Sequence, residues 1–139
     1  MSFARHFRDL DVYQNAKAIA RSVFDVTKRF PVEEKYSLTD QVRRSSRSVC
    51  ANIAEAWRKR RYKAAFVAKL SDAETEAAET QVWCELAADY EYLSAAEFRS
   101  LDDACDKVIS QLTKMASEAD RWATLPHADT PKRPNPDTR

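Results

Sequence analysis

The amino-acid sequence predicts an all-α protein, an antiparallel up-down-up-down four-helix bundle, on three observations. The chain contains no glycine, against about 7% in ordinary proteins, so tight hairpins, phosphate-cradling loops and strained catalytic turns lose the residue they usually require. Its prolines are confined to Pro31 and to the stretch after Thr124. Between those limits apolar residues recur at steps of three and four in four successive segments, the period of a helix with one face turned to a core. P-loops, Rossmann turns and most β architectures are thereby excluded. A length of 139 residues suits one domain with a single core.

The first helix is expected over about 12–30. Asp11 is placed to cap it, Gln14 stands at the capping-box position, and Val12, Ala16, Ile19, Val23, Val26 and Phe30 form its apolar face before Pro31 ends it. The second spans about 38–60, with Ser37 as cap and Leu38, Val42, Val49, Ile53 and Ala56 as seam, Ser45 or Ser46 filling the gap. The third, about 63–92, carries Phe66, Leu70, Ala73, Ala77, Trp83, Leu86 or Ala87, and Tyr90. No glycine or proline separates it from the second, so the pattern also admits one long rod; a break between Arg60 and Lys63 is preferred because it gives each segment one bundle length. The fourth, about 95–122, opens on a Ser94/Glu97 capping box and a Leu93/Phe98 staple. It continues through Leu101, Cys105, Val108, Leu112, Met115, Ala119 and Trp122 as a coiled-coil-like seam. Residues 1–122 therefore read as the bundle, and 123–139, rich in proline and mixed charge, as a disordered tail.

Cys50, Cys84 and Cys105 form no CxxC pair and fall within helical patterns, as reduced core or near-core residues do. No window approaches the ~20 apolar residues of a membrane span, and the N-terminal stretch lacks an apolar segment, so a soluble cytoplasmic protein is expected.

A net charge of +1 conceals segregation along the chain. From Arg43 to Lys69 nine basic residues accompany only Glu55, and from Asp72 to Asp106 eleven acids accompany only Arg99. In an up-down bundle, Arg58 to Lys63 share one end with Asp9 and Asp11, while Asp89, Glu91, Glu97, Asp102 and Asp103 gather at the other. Such asymmetry bears on partners.

Beside the seam of the second helix runs a polar row, Gln41, Ser45, Ser48, Asn52, Glu55 and Lys59, again at steps of three and four. It is either a half-exposed flank that fixes register or a surface that meets a second subunit. Three classes of function compete. Catalysis has little to draw on: His6 and His127 lie outside the four helices, so a Glu-x-x-His di-iron site cannot be assembled, and HExxH and GxSxG are absent. Glu55 and Glu79, beside Arg44, Arg47 and Arg58, read more simply as an ion-pair network. No cofactor or metal is expected. Nucleic-acid binding would rest on Arg43, Arg44, Arg47, Arg58, Lys59, Arg60, Arg61 and Lys63, with Trp57 and Tyr62 available to stack on bases. Against it, a charge run at a helix C-terminus also complements the helix dipole. A protein-interaction scaffold is the third class, with Trp57 and Trp83 as interface anchors, Trp83 being equally suited to the core.

The segments "FRDLDVYQNA", "FPVEEKYSLTDQVRRSSRSVCANIAEAWRKR" and "ETQVWCELAADYEYLS" resemble, in order and spacing, the bacterial four-helix-bundle family encoded in intervening sequences of 23S ribosomal RNA genes. The likeness runs from about Phe7 to Met115, and its most specific part matches Leu38, Thr39, Gln41, Arg43, Ser48, Asn52, Ile53, Ala54 and Glu55, with Glu79 and Trp83 also on matching positions. The chain departs from the pattern in having Ala56 where the family has glycine and in lacking the usual serine before the third helix. The resemblance implies a homo-oligomer, typically a pentamer, with no enzymatic activity. It also implies similarity in fold to the accessory variability determinant of diversity-generating retroelements, which binds nucleic acid and its reverse transcriptase. Itself, RNA or DNA, and a nucleic-acid enzyme are then the candidate partners.

Overall fold

The computed structural model describes residues 4–123. The expected tail after Ala123, and His127 within it, lie outside the described residues. The protein is all-α: among the described residues there are four long helices, α1 (Asp11–Thr27), α2 (Leu38–Arg58), α3 (Lys63–Asp89) and α4 (Ala95–Ser117), and a short α5 (Ala119–Ala123). None is long and apolar enough to cross a membrane.

The apolar faces meet in one core. Val23, Phe66, Leu70, Val108 and Leu112 are fully enclosed, with Ile53, Ala56, Ala73, Ala77 and Cys105 scarcely exposed. Each large side chain so buried contributes roughly 1.5–3 kcal/mol relative to exposure. Polar ties show the sense of neighbouring helices. Asn15 Nδ2 donates to Gln111 Oε1 at 2.9 Å, and Arg29 pairs with Glu97, so α1 and α4 run oppositely. Ser45 meets Thr80 at 2.8 Å and Lys69 meets Glu55 at 2.7 Å, which opposes α2 and α3. Gln81 Nε2 donates to Asp106 Oδ1 at 2.8 Å, and Thr113 donates to Glu74, which opposes α3 and α4.

Helix α2 makes its most extensive contact with α3, and small residues explain the closeness. Ser45, Ser46, Ala73, Ala77 and Thr80 are all buried at that crossing. A hydroxyl has one proton. Thr80 can give its own to the Glu76 carbonyl at 2.9 Å while accepting from Ser45, which satisfies the buried pair.

The ends of the helices depart from expectation in definite ways. Leu10, not Asp11, is the residue before α1. The capping box lies one turn earlier, where His6 and Asp9 close a 3-10 turn over Phe7–Asp9, and Gln14 donates to the Arg8 carbonyl instead. Helix α1 stops at Thr27 because Lys28, Arg29 and Phe30 donate to carbonyls three residues back and Pro31 holds its predecessor out of helix. The Ser37 side chain makes no cap; Glu34 Oε1 accepts from the Leu38 N–H at 3.3 Å. Helix α3 ends at Asp89 because Glu91 adopts φ of 64°, with Glu91 N–H bonded to Ala88 O and Tyr92 N–H to Ala87 O. This is a Schellman stop, with glutamate where glycine is usual. Ser94 and Glu97 form the expected reciprocal box on α4. Glu118 interrupts the fourth segment, and α5 carries Trp122 to the edge of Trp57, ring centroids 6.3 Å apart.

Candidate nucleic-acid interface

The cations of α2 divide between its two halves. At the C-terminal end the stripe Val49, Ile53, Ala56 and Trp57 continues into Arg60, three residues beyond Trp57. Both Trp57 and Arg60 are 1% exposed, and the Arg60 guanidinium lies 3.4 Å from the Trp57 ring centroid. Two expectations are corrected here. Trp57 is a core residue, neither an interface anchor nor a base-stacking surface, and Arg60 is a buried cation, not a phosphate contact. A planar guanidinium stacked on indole can be enclosed because its faces are weakly hydrated. Arg58, Lys59, Arg61, Tyr62 and Lys63 are exposed, and Lys63 Nζ lies 3.0 Å from Asp120.

In the N-terminal half, Arg43, Arg44 and Arg47 wall a surface groove of about 600 Å³ that Lys35 and Tyr36 close from the preceding connection. Thr39, Ser48 and Ala51 are the short residues of its lining, set among the long arginines. Arg43 is pinned to α1: its Nε donates to Thr27 Oγ1 at 2.7 Å and its guanidinium stands 5.1 Å from the Phe24 ring centroid. Arg44 and Arg47 are exposed. Tyr36 is 86% exposed, with the Lys35 ammonium 5.4 Å from its ring centroid. Among the described residues, Asp40 is the only acid on the groove lining. Lys35 and Tyr36 stand apart from the basic run that starts at Arg43, and their signal in the sequence is a Lys-Tyr pair just before a helix rich in arginine. With Lys28 and Arg29, they also make the end that was expected to be acidic a mixed one.

The polar row resolves into separate contacts. Asn52 Nδ2 donates to the Ser48 carbonyl at 3.0 Å and hydroxyl at 3.3 Å, so it serves its own helix. Glu55 holds Lys69, whose ammonium pKa is raised first by that hydrogen bond. Gln41 is half-buried, and Lys59 is exposed. The carboxylate beside Glu79 is Glu76, one turn away on α3, not Glu55. Burial and then Glu79 raise the Glu76 pKa, against the opposing pull of Arg44 and Ser48. Trp83 is half-buried against the core, its indole N–H enclosed with no hydrogen-bond partner among the described residues.

His6 is engaged in its turn, and the three cysteines are thiols. Cys84 and Cys105 have pKa values pushed up to about 12, burial first, and the half-buried Cys50 is raised for the same chief reason. Asp102, Asp103 and Asp106 bring carboxylate oxygens within 4.8 Å of one another on the face of α4, a clustering common among exposed acids.

Fold and site together define a class: an all-α protein whose most distinctive surface is an arginine-walled groove with an exposed aromatic ring. Residues 8–114 match the family described as 23S rRNA-intervening sequence protein, and the chain belongs to that family. A solved structure from Bacteroides thetaiotaomicron, described as a protein with unknown function from the S23 ribosomal protein family, is 28% identical. It covers 76% of this chain and 95% of its own, with a TM-score of 0.69. No curated protein matches.

Proposed function

We propose that the chain is a non-enzymatic, homo-oligomeric protein that binds RNA weakly through the groove on α2. What supports this is one observation: Lys35, Arg43, Arg44 and Arg47 converge on a single concavity beside an exposed tyrosine. Cations on one face suit phosphates, and repetition in an oligomer multiplies a modest patch by avidity. A net charge of only +1 and the neighbouring Glu76 and Glu79 keep the affinity low, in the range of about 10⁻⁴–10⁻⁶ M typical of sequence-independent binding.

Fluorescence anisotropy with labelled RNA tests the reading. Engagement of three or four phosphates gives a log–log salt slope of roughly −2 to −3 on single strands. Arg44→Glu with Arg47→Glu should abolish binding, whereas Arg58→Glu with Arg61→Glu should spare most of it. An absence of binding at low salt overturns the reading. Light scattering on a sizing column tests assembly, a monomer at all concentrations refuting it. The second reading, a scaffold for protein partners with no nucleic-acid role, is favoured by Val82, an apolar side chain 50% exposed on α3 beside the half-buried Trp83.

A further inference from the structure

We propose that the groove selects an unpaired strand, stacking one base on Tyr36 while Asp40 accepts hydrogen bonds from that base and Arg44 and Arg47 hold the flanking phosphates. This rests on the RNA-binding reading above and adds which form of RNA is taken.

The composition of the lining carries the argument. A site for duplex backbone needs cations alone, spread along a flat surface, because a duplex presents phosphates outward and hides its base faces. This lining instead combines a ring, a carboxylate and guanidiniums in one concavity of about 600 Å³. An aromatic ring offered to solvent serves a base only if the base is unstacked. Asp40 repels phosphate, so in a purely phosphate-binding groove it works against the function. A carboxylate does accept from the N–H groups of a base edge, and in a duplex the Watson–Crick donors are already taken.

The backbone that carries the ring is already ordered. Tyr36 is 86% exposed, yet it sits on a connection tied by Glu34 N–H to Pro31 O, Lys35 N–H to Val32 O and Ser37 N–H to Glu34 O, at 2.9 to 3.0 Å. Little ordering of the backbone is then needed on binding. The Lys35 ammonium over the ring adds a cation beside the stack. Arg44 and Arg47, three residues apart, share a face of α2 separated by about 4.5 Å of helix rise, close enough to grip neighbouring groups of one strand.

The test compares a labelled single-stranded RNA decamer of mixed sequence with the duplex formed from it and its complement, by anisotropy at one low salt concentration. The single strand is expected to bind more tightly. Tyr36→Ala should weaken it between about fivefold and 150-fold, the range for loss of one base stack, and Tyr36→Phe should restore it. Asp40→Asn should weaken binding of the single strand although it removes a negative charge, and should leave or improve binding of the duplex. Tyr36 is exposed, so its variants keep the wild-type melting temperature, while Asp40→Asn should lower it slightly because Asp40 lies in the first turn of α2. Equal affinity for the two forms, with Tyr36→Ala neutral, overturns this proposal and leaves RNA binding standing; no binding of either form overturns both.

Discussion

The cations from Lys35 to Arg47 and those from Arg58 to Lys63 flank the same helix, α2, about 30 Å long at 1.5 Å per residue, yet they have different fates. At the C-terminal end the helix's own partial charge favours cations, Arg60 is drawn under Trp57, and Lys63 reaches Asp120. At the other end Lys35 precedes a helix N-terminus, where a positive charge gains nothing from the dipole, and Arg44 and Arg47 stand exposed around a hollow. Charge density along a sequence therefore says where cations are, while stripe position says whether they are spent inside the fold. Arg60, the enclosed cation, belongs to the denser run, while Arg58, Lys59 and Arg61 beside it stay exposed.

The largest effect that would break this contrast is on stability. Trp57→Ala should cost about 3–5 kcal/mol in urea unfolding, against about 0.5 kcal/mol or less for Tyr36→Ala; similar losses would erase the distinction between the two aromatic residues. Next, Arg60→Ala should cost about 2 kcal/mol through lost packing and its enclosed cation–π contact. Arg61→Ala should be near neutral, and equal costs would put Arg60 on the surface. Ser94→Ala should remove about 1 kcal/mol from the start of α4.

Two glutamates near the groove end sharpen the comparison through pH. The Glu97 pKa is lowered from 4.5, first by the Ser94 backbone N–H and then by Arg29. Its contribution is present above 4.5 and is lost as pH falls through the lowered value. The melting-temperature deficit of Glu97→Gln should therefore shrink in acid. Glu76 has the opposite sign. Its pKa is raised from 4.5, so its ionised form is disfavoured in the fold, and Glu76→Gln should raise the melting temperature at pH 7 with the gain vanishing below 4.5. A parallel response of the two variants would refute the assigned environments. Smallest is Glu91→Gly, expected to stabilise by roughly 0.5–1 kcal/mol by relieving a side chain at positive φ.

Much of this architecture was legible because helical periodicity reports burial directly. The four segments, the Ser94/Glu97 box and the arginines of α2 all appear in spacing alone. The helix ends were less legible, since the Glu91 stop needs a left-handed residue that glutamate does not advertise, and the His6/Asp9 box precedes a turn with no apolar stripe. The burial of Trp57 and Arg60 was available, as both continue the Val49, Ile53, Ala56 stripe; the arginine's charge obscured it. The groove itself was not, because a concavity depends on short side chains between long ones and on a connection folding back beside them.

The hydroxyl pair of Ser45 and Thr80 has a mechanical corollary. Sliding α2 along α3 by one turn, about 5.4 Å, would part the two hydroxyls, leaving Ser45 only its bond to Val42 O and Thr80 only its bond to Glu76 O, and would forfeit a buried hydrogen bond of about 0.5–1.5 kcal/mol. The pair thus acts as a detent between two otherwise smooth, alanine-lined rods, and it keeps the arginines upstream of Ser45 at one height above the carboxylates of their neighbour.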